Sequence, residues 1–348
     1  MSDLSAHKPD FEQFLRVLRR KKRPNHLPFY EHFASPGFVA RRTGVPWNDM
    51  TPDNPDYWRI YVRFWLGMGY DCIPMEIPLD CPLESHQDRA GKASVGSEAA
   101  VTIRTIDEFE RYPWPDESSP IDFSHFERVA GLLPDGVKIV GGVCGGPYEW
   151  ASTMMGVQGL ATAIYMDPQL VECMFDKIGA LHSSAVRQLS TMDAIGALRQ
   201  GDDLGFKTST FLSPAHLRQF VFPIYNRMVQ AAHNQDKPFI LHSCGNLAQV
   251  YDDLIDDVGI DAKHSFEDVI LPVAEFKRQY RDRVTPLGGL DVDRICRSTP
   301  DQLRAYTRKM VEQCFDDGFW AFGTGNSLTD YMPVENYITA LQQARTIT

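Results

Sequence analysis

His242 and Cys244 are the two residues of this chain whose types and spacing best suit chemistry. They lie in the stretch Lys237-Pro-Phe-Ile-Leu-His-Ser-Cys-Gly-Asn246, where an apolar run ends at His242 and Gly245 then breaks the strand. Side chains two residues apart on a strand share a face, so the imidazole and the thiol point the same way. Both are zinc ligands, and a catalytic zinc generally takes three protein ligands and leaves one position open. The spacing therefore predicts two metal ligands; a core histidine beside a buried thiol is the alternative.

Other polar residues also follow apolar runs. Four of them are candidate catalytic residues, expected to orient substrate or to transfer protons: Glu76, Asp202, Asp203 and Asn326. Because Asp202 and Asp203 are adjacent, only one of them can face inward, and the other is expected to form a turn or a helix cap. Glu31 with His32, and His264, stand at the ends of further runs. Asp203, Glu76 or a residue of the last strand could supply the third metal ligand.

Two glycine-rich turns are candidates for contact with a cofactor. Gly145 and Gly146 precede Pro147 and suit a close approach of the backbone to a ligand, but the turn lacks the Lys and Ser/Thr of a phosphate loop. Asp291 follows a second Gly-Gly pair. We expect Gly145, Gly146 and Asp291 to bind a cofactor. Close packing by the glycines and helix capping by Asp291 are the alternatives.

Eight short apolar runs alternate with amphipathic segments and would position these residues. The predicted strands are His26–Tyr30, Asp71–Met75, Val137–Gly141, Ile195–Asp202, Pro238–His242, Gly259–Lys263, Val284–Leu290 and Gly318–Gly323. The predicted helices are Asn54–Gly67, Pro168–Thr191, Pro214–Asn234, Ala248–Val258, Leu271–Tyr280, Thr299–Asp316 and Val334–Thr346. This alternation predicts an α/β fold, a single (β/α)8 TIM barrel over residues 1–348, with an open doubly wound sheet as the alternative.

The segment 80–122 interrupts the alternation. Small and apolar residues alternate over 93–104, which predicts a β-hairpin insertion after the second strand, over the barrel mouth. In a barrel all strand ends meet at that mouth, so polar groups scattered along the chain become neighbours.

Composition narrows the class of protein. The chain has 348 residues, is 43% hydrophobic, and carries a net charge of −11 from 35 basic and 46 acidic residues. This charge argues against nucleic acid or an anionic membrane surface as a partner. We find no apolar run long enough to span a membrane and no secretory signal at the amino terminus. Seven scattered cysteines are typical of reduced thiols, so we expect a cytoplasmic protein without disulfides.

Several motifs together resemble the uroporphyrinogen decarboxylase superfamily, which includes zinc-dependent corrinoid methyltransferases. They are Gly201-Asp-Asp-Leu-Gly205, Ser213-Pro-Ala-His-Leu-Arg218, Leu241-His-Ser-Cys-Gly-Asn246, Gly288-Gly-Leu-Asp291 and Pro333-Val-Glu-Asn336. The resemblance extends over most of the chain. It implies a (β/α)8 barrel with the active site in its mouth and a homodimer.

The two branches of that superfamily differ in what they need from the sequence. Decarboxylases hold their substrate carboxylates with arginines of an amino-terminal loop. The corresponding stretch here, Leu27-Pro-Phe-Tyr-Glu-His-Phe-Ala34, has no arginine, and their catalytic aspartate is replaced near Glu76. A highly anionic tetrapyrrole would be held poorly, so decarboxylation of that substrate is not expected.

The methyltransferase branch is similar to this chain at His242 and Cys244, which match its first two zinc ligands. Its third ligand is a cysteine in a turn of the eighth strand, and Thr324 stands at the expected position of that sulfur. Threonine is a poor zinc ligand. The resemblance therefore implies either zinc held by His242, Cys244 and one carboxylate, or a site without metal.

Three functions follow. The first is methyl transfer on a small molecule, with zinc and with methylcobalamin carried by a corrinoid partner protein. The second is metal-independent decarboxylation of a tetrapyrrole or another carboxylic acid, with Asp203 and Glu76 as acid and base. The third is a non-enzymatic binder of a corrinoid or tetrapyrrole.

Overall fold

A parallel sheet organises the protein, whose computed structural model describes residues 7–83 and 101–347. Its six strands pair in chain order, each hydrogen-bonded to the next. The strands are β1 (Cys72–Pro78), β2 (Lys138–Cys144), β3 (Ile195–Gly201), β4 (Phe239–His242), β5 (Ala262–His264) and β6 (Thr285–Leu287). The register aligns the strand ends, because Gly201 lies opposite His242 and His242 lies opposite His264. Residues that end neighbouring strands are therefore side by side.

Two bridged segments continue the sheet beyond β6. Leu287 bridges Ala321 and Leu290 bridges Thr324, while Phe322 in turn bridges Phe29, all in parallel. The predicted strands His26–Tyr30 and Gly318–Gly323 are thus isolated bridges rather than strands. Pro28 has no N–H to donate to a ladder, and three glycines between 318 and 325 weaken a strand. The neighbour order is nevertheless that of the predicted barrel.

One apolar cluster contains an inward residue from every strand and from both bridged segments. Its strand members are Tyr30, Cys72, Val140, Ala197, Ile240, Ala262, Leu287 and Ala321, and Phe11, Phe14, Val17 and Leu18 of the first helix pack against them. The strands therefore surround one interior, which this helix closes at the amino-terminal strand ends. The larger apolar cluster lies between the strands and the outer helices.

The helices flank the strands. They are α1 (Phe11–Arg19), α2 (Pro36–Thr43), α3 (Tyr57–Leu66), α4 (Ile106–Arg111), α5 (Ser124–Ala130), α6 (Pro147–Met155), α7 (Val157–Met166), α8 (Pro168–Thr191), α9 (Pro214–His216), α10 (Phe222–His233), α11 (Val273–Tyr280), α12 (Val292–Arg297), α13 (Pro300–Cys314) and α14 (Val334–Arg345). A 3₁₀ turn covers Trp47–Asp49, and π-helical turns cover Leu217–Val221 and Asp253–Asp257.

The predicted helix Pro214–Asn234 is interrupted by a π-helical turn, Leu217–Val221, between α9 and α10. Pro223 follows that turn and has no N–H for the helical ladder, which accounts for the shift in hydrogen bonding. Helix α8 has the predicted bounds. The predicted β-hairpin at 93–104 lies mostly outside the described residues, and the described part of 80–122 contains α4. In the parts of the chain that the structure describes, no helix has both the length and the apolar character needed to cross a membrane.

Candidate active site and metal centre

Five polar side chains meet where the strands end, and we call them the mouth cluster: His32, Asp203, His242, Cys244 and His264. His242 ends β4 and His264 ends β5, while His32 follows the first bridged segment. The His32 and His242 rings stack with centroids 3.9 Å apart. All three imidazoles are buried. Burial, then mutual repulsion among these imidazoles, lowers the pKa of His32 well below its usual value, so the rings are neutral near pH 7.

Hydrogen bonds fix the tautomer of His242. The Nε2 of His264 lies 3.2 Å from the carbonyl oxygen of Thr324, which can only accept, so this nitrogen carries the proton of the neutral ring. The Nδ1 of His264 is then an acceptor for the Nδ1–H of His242, at 2.7 Å. The Nε2 of His242 is left with a free lone pair that points toward Cys244. Such a relay is the usual support of a metal-binding histidine.

Three polar groups surround the sulfur of Cys244. Its Sγ lies 3.6 Å from Nε2 of His242 and accepts hydrogen bonds from Ser265 Oγ at 3.3 Å and Asn326 Nδ2 at 3.2 Å. Burial, followed by the charge of Asp203, raises the pKa of the thiol to about 12. Without a cation the thiol is therefore protonated near pH 7, whereas a bound metal ion would favour the thiolate.

Asp203 completes the set beside Cys244. Its Oδ1 accepts the backbone N–H of Cys244 at 2.9 Å and lies 3.8 Å from Nε2 of His242. The Asp203 side chain is 43% exposed, so it faces the open side of the mouth. Asp203, His242 and Cys244 offer three ligand atoms that all lie within 4.8 Å of one another. His32, His242 and His264 form a second such set.

Glu76 lies deeper and is paired with Arg199. Arg199 NH2 is 2.9 Å from the Glu76 Oε2, which is also 3.6 Å from Nε2 of His32. Burial raises the pKa of Glu76, and the charge of Arg199 opposes that shift. Arg199 also donates to the backbone carbonyl of His32. Glu76 therefore borders the imidazoles of the mouth cluster, but its carboxylate is engaged in an ion pair.

Asp202 faces away from the mouth cluster. Its carboxylate accepts the backbone N–H groups of Tyr148 at 3.0 Å and Glu149 at 2.9 Å, in the first turn of α6, and the hydroxyl of Tyr225 at 2.7 Å. Gly146 is packed against it, since a Cβ at Gly146 would lie 2.1 Å from the Asp202 carboxyl carbon. The contacts of Gly145 are also internal, because its carbonyl accepts from His182 and Gln200.

Asp291 caps α12, with its side chain accepting the N–H of Arg294 at 3.0 Å. This contact agrees with the helix-capping alternative. The preceding Gly288 has a φ of +68°, and a Cβ there would lie 2.2 Å from the Thr324 carbonyl oxygen. The glycine therefore lets the carbonyl that holds His264 approach closely. The cofactor-binding role of Gly145, Gly146 and Asp291 stays a prediction.

Thr324, at the position where the resemblance places a cysteine, has its side chain bound to Glu31. Its hydroxyl donates to Glu31 Oε2 at 2.6 Å, and its N–H donates to Glu31 Oε1 at 2.6 Å. Asn326, two residues later, faces the sulfur instead. The reason is the turn at Gly325, which reverses the alternation expected of a continuous strand.

Sequence reasoning missed four residues around the site. Arg199 and Lys263 are charged residues inside otherwise apolar strands, a pattern that could have drawn attention to them. The Lys263 ammonium donates to the backbone carbonyls of Ser243 and Ser265. Ser243 follows β4 and Ser265 follows β5, so this side chain links the ends of the two strands. Burial lowers the pKa of Lys263 to about 8. Ser265 and Glu149 gave no signal beyond their polarity.

Comparison with known proteins assigns the family. The family model for uroporphyrinogen decarboxylase (URO-D) matches residues 10–347. The chain belongs to the uroporphyrinogen decarboxylase family. The predicted resemblance is thereby confirmed, and the family implies a TIM barrel, in agreement with the sheet order.

Two curated relatives and one solved structure are similar to this family member. A uroporphyrinogen decarboxylase of Anaeromyxobacter sp. (strain Fw109-5) is 26% identical over 261 residues, 73% of this chain and 69% of that protein. One of Anaeromyxobacter dehalogenans (strain 2CP-C) is 25% identical over 247 residues, 69% of this chain and 65% of that protein. The structure of a methyltransferase from Methanosarcina mazei superposes with a TM-score of 0.68 at 17% identity, covering 96% of this chain and 97% of that one. At this identity the likeness shows the shared fold.

Proposed function

We propose that this protein is a barrel enzyme that transfers a methyl group to or from a small molecule, with zinc held by His242, Cys244 and Asp203. The observation that carries the proposal is the free Nε2 lone pair of His242 aimed at the Cys244 sulfur, with the opposite ring nitrogen tied to His264. This arrangement prepares an imidazole to bind a metal.

The distances between the ligand atoms fit zinc. Zinc bonds of about 2.3 Å to sulfur and about 2.1 Å to nitrogen, at tetrahedral angles, place the two ligand atoms about 3.6 Å apart. The Cys244 Sγ and His242 Nε2 are 3.6 Å apart. Asp203 Oδ1 is 3.8 Å from the same nitrogen, slightly longer than the roughly 3.4 Å that zinc would require. A small movement of this partly exposed carboxylate would complete the set.

The remaining residues would prepare the ligands and the substrate site. When bound, zinc would act as a Lewis acid on a substrate thiol or oxygen. The two hydrogen bonds from Ser265 and Asn326 to the sulfur stabilise a thiolate at Cys244. Glu76 lies 3.6 Å from His32 at the inner edge of the cluster, where it could hold a proton. The exposed face of Asp203 leaves the open side of the site to substrate.

Metal-independent decarboxylation is the second candidate, supported by the names of the two curated relatives. The geometry favours it less. Among the described residues, the cations whose charges reach the mouth cluster are Arg199, which is ion-paired with Glu76, and Lys263, which donates to backbone carbonyls. Neither is free to bind several substrate carboxylates. Methylcobalamin on a corrinoid partner protein, the cytoplasmic location and the homodimer stay predictions.

Zinc analysis of protein purified without a histidine tag tests the proposal. We expect the zinc content to fall by about one equivalent from the wild type to Cys244→Ala, and to stay unchanged in Cys296→Ala, a cysteine on α12. Methyl transfer is then assayed with methylcobalamin, thiol acceptors and methoxylated donors. A mouth without zinc, or carbon dioxide release from a carboxylic acid that survives chelation, would contradict methyl transfer and favour the second candidate.

A further inference from the structure

A second cluster of metal-ligand side chains lies at the opposite end of the strands. Asp71 directly precedes β1, so it sits at the amino-terminal strand ends, away from the mouth cluster. The Nε2 atoms of His7 and His26 are 3.0 and 2.8 Å from its Oδ1 and Oδ2, respectively. We call these three residues the base cluster. They come from the segment before α1, the segment before the first bridge, and the start of β1.

The ligand atoms of the base cluster are at hydrogen-bonding distance, slightly closer together than the ligand atoms of a zinc site. All three ligand atoms lie within 4.8 Å of one another. Zinc bound to nitrogen and carboxylate oxygen at about 2.0–2.2 Å would separate tetrahedral ligand atoms by about 3.3–3.5 Å. The nitrogen–oxygen distances of 3.0 and 2.8 Å need only small shifts to reach that value. The backbone N–H of Asp10 also donates to Asp71 Oδ1 at 2.9 Å, as an outer hydrogen bond that orients a ligating carboxylate.

The base cluster contains a buried negative charge, that of the Asp71 carboxylate. The Asp71 carboxylate is fully buried, while His7 and His26 are about a fifth exposed, at 20% and 17%. In the described parts of the chain, the ion pairs of Asp71 are with these two histidines. Arg345 is near, but its guanidinium donates to the carbonyls of Leu27 and Gly69. A buried carboxylate must be compensated by hydrogen bonds or by a cation, and a metal ion held by the same three side chains would supply that positive charge.

The two histidine rings of the base cluster lie against each other. Their centroids are 3.6 Å apart and their planes are inclined by 34°. One divalent ion bound to both rings and to the carboxylate would use all three groups and supply positive charge beside Asp71. The partly exposed rings leave a path from water to the site.

We propose that His7, His26 and Asp71 bind a structural zinc ion at the base of the barrel. The ion would tie the segment before α1 to the start of β1, so its binding would stabilise the fold without contributing to the reaction. This inference does not depend on the proposed function, because the base cluster shares no residue with the mouth cluster.

The test removes the mouth ligands first. In a tag-free His242→Ala/Cys244→Ala protein, stripped of metal and then dialysed against zinc, we expect about one equivalent of zinc to remain bound. Adding His7→Ala or His26→Ala should abolish that equivalent and the accompanying rise of the melting temperature. His233→Ala is the matched control, because His233 pairs with the Asp261 carboxylate at 2.7 Å and belongs to none of the candidate metal groups among the described residues. It should leave the zinc content unchanged.

Cobalt provides a second measurement, which does not require a stable variant of the base cluster. Cobalt(II) bound to the His242→Ala/Cys244→Ala protein should give visible ligand-field bands without a thiolate charge-transfer band. Circular dichroism shows whether each metal-free variant is folded. If a base-cluster variant does not fold, the cobalt titration of the parent protein is the deciding measurement. Absence of zinc from the parent, bound zinc that ignores His7→Ala and His26→Ala in folded protein, or a thiolate band would each overturn the proposal.

Discussion

The two ends of the barrel present similar ligands in different settings. Both clusters combine histidines with an aspartate, but only the mouth cluster includes a sulfur atom, Cys244. At the mouth the histidines are buried and the carboxylate is partly exposed, whereas at the base the carboxylate is buried and the histidines are partly exposed. In this fold, residues at the carboxyl ends of strands serve activity and those at the amino ends serve stability. In each cluster, the more exposed ligands therefore lie on the side from which water or substrate would reach the site.

Removal of the sulfur should separate the two ends most strongly. In Cys244→Ala we expect methyl-transfer activity to fall at least about a thousandfold, since a Lewis acid contributes several kcal/mol to catalysis. Zinc at the base cluster should be unaffected. Activity is measured beside zinc content, with Cys296→Ala as the control. Full activity in zinc-free Cys244→Ala protein would contradict the assignment of activity to zinc at the mouth cluster.

The two ends should respond to pH with opposite sign. Burial, opposed by hydrogen bonds from Thr324 and Tyr337, raises the pKa of Glu31 near the mouth to about 7. A carboxyl group with a raised pKa favours the folded state while it is protonated, and this stability is lost as pH rises from the unfolded value toward 7. The loss amounts to about 3 kcal/mol.

At the base, burial alone would raise the pKa of Asp71, but hydrogen bonds from His26 and His7 lower it below its usual value. The contribution of Asp71 to the unfolding free energy is therefore lost as pH falls.

Glu31→Gln should reduce the decline in unfolding free energy between about pH 5 and pH 8, measured by urea denaturation. The exposed Glu12→Gln should retain the wild-type decline. Equal slopes in the three proteins would show that Glu31 is not the titrating group.

The histidine relay predicts a smaller effect on metal affinity. His264→Ala removes the acceptor that holds the Nδ1–H of His242, so zinc affinity at the mouth should fall about 10–100-fold. His264→Asn should restore part of this affinity, because its amide oxygen can accept the same proton. Competition with a chromophoric chelator measures both. Unchanged affinity in His264→Ala would mean that the tautomer of His242 does not matter.

Asn326 predicts a gain of function. Because its amide faces the Cys244 sulfur at 3.2 Å, Asn326→Cys should create a second sulfur ligand and raise zinc affinity about tenfold. Thr324→Cys is the matched control, since the Thr324 side chain is directed to Glu31. If Thr324→Cys tightens zinc binding and Asn326→Cys does not, the assignment from sequence was right and the geometry of the turn is wrong.

The strand order and most of the site residues could be predicted from the sequence. Period-two spacing placed His242 beside Cys244, and apolar runs gave the ends at Glu76 and Asp203. The bridge-forming segments were overestimated as strands, since local apolar character does not reveal where ladder hydrogen bonds stop. The orientation of Asn326 depends on the turn at Gly325. A turn has no regular alternation of side chains from which that orientation could be predicted.

The base cluster could not be predicted at all. His7, His26 and Asp71 belong to three separate segments, and their pairing depends on how the chain before α1 folds back under the barrel. The sequence predicted that Asp202 or Asp203 would form a turn or a helix cap, but not which of them or which helix. The partners of Asp202 are backbone N–H groups of α6, more than fifty residues earlier in the chain, and no side-chain pattern announces them.

The link between Glu31 and the last helix sets an order of events during synthesis. Tyr337 of α14 donates to Glu31 across a sequence separation of 306 residues, and Glu31 in turn holds the turn that presents Asn326. During synthesis the chain could thus form most of the sheet before α14 supports the turn that faces the proposed zinc ligand Cys244. The proposed zinc ligand Cys244 would acquire its Asn326 partner only once α14 has docked against Glu31.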